Sequence, residues 1–175
     1  MDDLRQRIWE VMGEERRQRA AEAFWNSDEQ KAAKGQVEIL LAQRLKARPQ
    51  FVKKLPVARK AAYLSRDMAH NPYLWDAAMI AYQFAHHRAM LSDFLNSVGI
   101  PNKDGHYESE QEPPQPTAEV LQPAVEQLTG KYDKTDATVY LGALVLQDPT
   151  FWAPLRAIVD RLLEELAPRP AEQAS

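Results

Sequence analysis

Apolar residues recur along this chain at intervals of three and four, the period of helices with one buried face. Ala33, Val37, Leu40 and Leu41 follow it, with Arg44 on the same side. The pattern predicts a helix over 3–25, weakened at Gly13, where glycine costs helix stability. Ser27 with Gln30 three residues on has the form of a capping box. The helix it opens should stop near Arg48, because Pro49 disfavours helical geometry in the residue before it. Residues 50–56 read as a connector or a short turn. Further helices are predicted over 57–69, 72–97, 117–129, 133–147 and 149–166. Asn71-Pro72 and Asp148-Pro149 are start signals: the polar side chain caps free amides, and proline loses nothing where an amide has no helical partner. Pro123 should interrupt 117–129, and Gly130 should close it. β-Branched residues rarely cluster, so neither strands nor a hairpin are expected. The acidic, proline-rich stretch 99–116 reads as a linker or functional loop, and 168–175 as a frayed tail.

Two segments match without a gap. Tyr63-Leu64, Pro72 and Leu74-Trp75 correspond to Tyr140-Leu141, Pro149 and Phe151-Trp152, with Asn71 and Asp148 in equivalent cap positions. Downstream, apolar positions stay in step: Ala78 with Leu155, Ala81 with Ile158, Tyr82 with Val159 and Ala85 with Leu162. A register that retains so rare a residue as tryptophan predicts two copies of a three-helix unit. The fold expected is therefore all-α, with six or seven helices in two related units, stacked as a compact array or duplicated bundle. The segments are an N-terminal helix (1–26), unit 34–97, an acidic loop (98–117), unit 118–167 and the tail, together one compact domain. Matched aromatics such as Trp75 and Trp152 are expected in the core.

Composition adds exclusions. With 45% hydrophobic and 27% charged residues, the chain reads as globular. It contains no cysteine, which rules out disulfides, thiol catalysis and thiolate-bound metal and fits a reducing compartment. The opening Met1-Asp2-Asp3-Leu4-Arg5 is charged from the start, so no signal segment is expected. The weakly polar run 72–85 is too short and too polar to span a bilayer. No glycine-rich phosphate loop, nucleophile elbow, His-Glu-x-x-His or Glu-x-x-His pattern occurs.

Charge is unevenly spread. Residues 31–66 hold ten Lys or Arg against one acid, Glu38, leaving +9; the rest of the chain carries −12, and the whole −3. Arg44, Lys46, Arg48, Lys53, Lys54, Arg59 and Lys60 surround Phe51 with no acid among them. They form the candidate partner-binding segment, able to hold an acidic protein or phosphates. A second candidate lies on the predicted helix 72–97, where His86, His87 and Asp93 share one broad polar face. Arg88 projects among Phe84, Leu91 and Leu95, either with its stem covering apolar surface or as a buried ion pair.

These features predict a cytoplasmic, non-enzymatic helical interaction or scaffold module with a protein partner. No cofactor, metal or membrane is expected. Two alternatives stay open: a binder of nucleic acid or another polyanion through 44–60, and a metal or acid–base enzyme using His86, His87 and Asp93.

Overall fold

A computed structural model describes residues 4–66, 68–107 and 112–168. Among them are the α-helices α1 (Leu4–Asn26), α2 (Lys31–Arg44), α3 (Pro49–Lys54), α4 (Val57–Leu64), α5 (Pro72–His86), α6 (Arg88–Ser97), α7 (Ala118–Lys131), α8 (Lys134–Gln147) and α9 (Ala153–Leu166). Short 3-10 turns occupy Asp28–Gln30 and Met68–His70, and two short strands, β1 (Asn102–Lys103) and β2 (His106–Tyr107), pair antiparallel. The chain is all-α in class. No helix among the described residues is long and apolar enough to cross a membrane.

The chain divides into two compact units, 13–88 and 1–12 with 89–175. Helix α1 contributes to both because Gly13 breaks it, with φ 71° and ψ 170°. That region of backbone space is open essentially to glycine alone.

In the unit 13–88, α2 and α3 pack together, and α5 packs on the Met68–His70 turn. Phe24, Val52, Met68, Trp75, Met79 and Tyr82 are buried in its core. The helix after Ser27 departs from expectation. Ser27 makes no side-chain cap bond, and a 3-10 turn precedes α2. Helix α2 ends at Arg44 rather than Arg48. Arg48 is extended (φ −77°, ψ 144°), as a residue before proline should be, and Pro49 opens the short helix α3 where a connector was expected. Leu40, assigned to the apolar face of α2, is 53% exposed.

In the unit 1–12 with 89–175, α7, α8 and α9 pack pairwise. Helix α8 is buried at every position from Ala137 to Ala143, as a central helix must be. Leu4, Ile8, Trp9 and Met12 present one buried face of α1, and Arg7 pairs with Asp160 at 2.6 Å. Phe94 packs edge-to-face with Tyr140 and tilted against Trp152, at centroid distances of 5.8 and 6.0 Å. Helix α7 runs through Pro123 and Gly130 without interruption to Lys131.

The expected absence of a hairpin fails at Asp104-Gly105. Both residues have positive φ (52° and 82°), the signature of the two-residue turn that joins β1 to β2. This dipeptide is the turn signal within the stretch whose composition reads as a linker or functional loop. Farther along, Gln115 Nε2 donates to the carbonyls of Thr150 and Phe151, both at 2.9 Å, and Pro116 is buried. Part of the expected acidic loop (108–111), and the tail beyond Pro168, lie outside the described residues.

The two proline corners are built alike. Asn71 Oδ1 accepts from Leu74 N at 3.2 Å, and Asp148 Oδ1 from Phe151 N at 2.9 Å. Trp75 N donates to Asn71 O at 2.9 Å, and Trp152 N to Asp148 O at 3.0 Å. Both indoles are buried. The corners then diverge: α5 begins at Pro72, whereas α9 begins only at Ala153. The boundary between the compact units falls at Arg88, not in the acidic loop, so α6 groups with α7–α9.

Candidate functional site

The basic segment begins where α2 terminates. Lys46 N donates to Gln43 O at 3.2 Å and Ala47 N to Ala42 O at 2.9 Å, the bond pair of a Schellman helix end. That motif needs a left-handed residue, usually glycine, and here it is Lys46, at φ 49°. A lysine there costs on the order of 1 kcal/mol relative to glycine. Arg48, Phe51 and Lys54 then follow at intervals of three, which sets them on one side of α3. Val52 faces the core, while Arg48, Phe51, Lys53, Lys54 and Arg59 are exposed. Phe51 is 56% exposed, and Ile39 and Leu40 on the adjoining α2 are also exposed. Among the described residues, Lys46, Arg48, Lys53, Lys54 and Arg59 make no ion pair.

Lys60 is set apart from these cations. It is 8% exposed, and its Nζ lies 4.6 Å from the centroid of the Trp25 ring. The stem is packed in the unit 13–88 and the ammonium meets an indole face, a cation–π arrangement. Lys60 thus serves packing, and the solvated cations are the remaining members of the segment. Arg44 is exposed at the last turn of α2.

The second candidate is carried by two helices rather than one. The predicted helix 72–97 ends at His86, and His87 leaves helical geometry (φ −134°, ψ 22°) before α6 starts. His86 and His87 belong to the unit 13–88 and Asp93 to the other. Both imidazoles pack against Tyr82, at 5.3 and 5.1 Å between centroids, and Arg19 Nη2 lies 3.4 Å from His86 Nδ1. A guanidinium can only donate, so that nitrogen acts as an acceptor. Arg88 is exposed; its Nε donates to Phe84 O at 2.9 Å, with the guanidinium over the Phe84 ring. Among the described residues no three His, Asp or Glu converge as metal ligands would.

Asp93 instead joins residues that spacing could not reveal. Its Oδ2 accepts from Lys131 Nζ at 2.6 Å and from Tyr132 OH at 2.5 Å. The two donors hold the Asp93 carboxyl below its ordinary value, Lys131 foremost. The same bonds raise Lys131 and Tyr132 above theirs. The three border a half-open groove of about 340 Å³ between α6 and α7, whose lining includes Phe94, Ser97, Ala124 and Leu128. Lys131 and Tyr132 follow Gly130 and read in sequence only as a helix end.

Comparison with protein-family models, curated proteins and solved structures finds no match for this chain.

Proposed function

We propose that this protein is a non-enzymatic interaction module that binds an acidic partner protein through Arg48, Phe51, Lys53, Lys54 and Arg59. One observation carries this reading: a 56% exposed phenyl ring stands among cations that make no ion pair among the described residues. Aromatic and arginine side chains are the usual anchors of protein interfaces. Uncompensated charge around such an anchor speeds encounter with a partner of opposite sign and selects against basic ones. The strained Lys46 supports it further, since a charge kept where glycine fits better points to use of that charge. The similarly built corners at Asn71 and Asp148 support a duplicated helical scaffold as the carrier of this face.

The test is fluorescence anisotropy of the full chain with a labelled acidic peptide bearing leucine and phenylalanine, against RNA and DNA of equal charge. The peptide should bind, more weakly as salt rises. Phe51→Ser, and separately the triple variant Lys53→Gln, Lys54→Gln, Arg59→Gln, should each weaken binding about tenfold or more. Lys60 is left in place because it is packed. Tighter binding of RNA or DNA, with a salt slope reduced in the triple variant, would overturn the reading in favour of a polyanion binder. Peptide binding indifferent to Phe51→Ser would remove the aromatic anchor.

A further inference from the structure

A helix side turned to water ordinarily holds the charged residues. The exposed side of α2 does not. Ala32, Gly35, Gln36, Ile39, Leu40 and Gln43 recur there at intervals of one, three and four, and all are exposed. Ile39 and Leu40 are 50% and 53% exposed. None of the four charged residues of α2, Lys31, Lys34, Glu38 and Arg44, shares this stripe. A Cβ at Gly35 would meet nothing within 4 Å, so the helix surface is open there. Glycine weakens an exposed helix, and it suits a place where a second backbone comes close. The stripe is about 16 Å long. An extended peptide docks on a sheet edge, which α2 lacks, whereas an apolar stripe at helical spacing takes another helix.

Charge narrows the occupant. At the C-terminal end of the stripe stand Arg44, Lys46 and Arg48, all exposed. The unit 13–88 holds fourteen Lys or Arg against eight Asp or Glu. Two copies joined α2 to α2 would bring like charges together, which disfavours self-pairing. A helix with acidic residues at one end meets the same cations favourably.

We infer that this stripe of α2 binds an amphipathic helix of the partner protein, with the partner's acidic residues over Arg44, Lys46 and Arg48. Such an occupant rests on the acidic partner proposed above and gives that partner its form. Ala32 and Gly35 let the two helices approach closely, and Ile39 and Leu40 pack against the partner's apolar side. Gln36 and Gln43 cross the seam without burying a charge. The exposed Phe51 lies on α3, which packs on α2.

The experiment is fluorescence anisotropy of the full chain with two labelled peptides. One carries leucines at helical spacing and glutamates at one end; the other is the same peptide with proline at its centre. The proline form keeps the charge and loses the helix, so it should bind about tenfold more weakly or worse. Gly35→Gln puts a side chain into open space and should not lower the denaturant midpoint, yet it should weaken the helical peptide about tenfold or more. The double variant Ile39→Ser, Leu40→Ser should weaken it by a similar factor. Equal affinity for the two peptides would overturn the inference. So would a helical peptide indifferent to Gly35→Gln and to the serine pair. If Phe51→Ser still weakened binding in that case, the acidic partner would stand and only its helical form would fall. Failure of both peptides to bind would sink the two together. A dimer of the chain alone that Gly35→Gln dissociates, seen by sedimentation, would put a second copy on the stripe and overturn the inference as well.

Discussion

Gly142 of α8 lies so close to Ile8 of α1 that a Cβ at position 142 would stand 2.5 Å from Ile8 Cδ1 and 3.1 Å from its Cγ1. Helix propensity alone would favour alanine there by about 1 kcal/mol, yet the Ile8 side chain is fully buried and its Cδ1 must shift within the core to admit the new methyl. Overpacking of this kind costs about 1–3 kcal/mol. Gly142→Ala should therefore destabilise the protein by about 1 kcal/mol, read from urea melts. Ile8→Val removes the offending Cδ1, so the double variant should be more stable than the sum of the two single losses. Simple additivity would mean that the two residues do not press on one another.

Gln83 is 3% exposed, and neither its Oε1 nor its Nε2 has a hydrogen-bond partner. Burying an unpaired carboxamide costs about 1–3 kcal/mol, whereas methionine has similar length and no such demand. Gln83→Met should raise stability by about 1 kcal/mol or more, visible as a higher denaturant midpoint at unchanged slope. A clear loss of stability would show that the amide is satisfied in solution.

Lys46 offers the opposite trade. Lys46→Gly fits the left-handed helix end and should stabilise the chain by up to about 1 kcal/mol. If the charge serves partner binding, the same change should weaken the peptide complex. A variant that is stabler and binds equally well would leave the strain at Lys46 without a functional reason.

The Asp93 cluster has a pH signature. The folded Asp93 carboxyl lies below its ordinary value of 3.8. Its contribution is therefore complete above that value and lost as pH falls through the lower folded one. Tyr132 is raised above 10.0, so its hydroxyl bond persists through neutral pH and is lost as pH rises through the raised value. Tyr132→Phe should cost about 1 kcal/mol at neutral pH. Asp93→Asn should flatten the acid limb of stability in melts from about pH 2 to about pH 7. An acid limb identical to that of the unaltered chain would show that Asp93 carries none of it.

The helices and their corners were legible because their signals are local. Asn71, Asp133 and Asp148 each accept from an amide three residues on, and Pro49 sets the conformation of its immediate neighbour. Such interactions close within one turn, so residue types at fixed spacing are enough to predict them. The hairpin at Asp104-Gly105 belongs to the same class: its turn signal is local, although it sits within an acidic, proline-rich stretch.

What the tertiary structure decided is everything that depends on which surface meets which. The break at His87 has no proline or glycine to announce it, and it falls beside the boundary between the two compact units. Lys60 and Arg59 are adjacent and chemically alike, yet one is buried against Trp25 and the other exposed. Asp93 meets partners 38 and 39 residues away. The sequence by itself determined a helical chain with capped corners and a cationic segment around Phe51, because backbone geometry and formal charge are properties of neighbours. Packing decided which cations remain in water and which polar groups converge, because burial is set by distant residues that spacing along the chain does not encode.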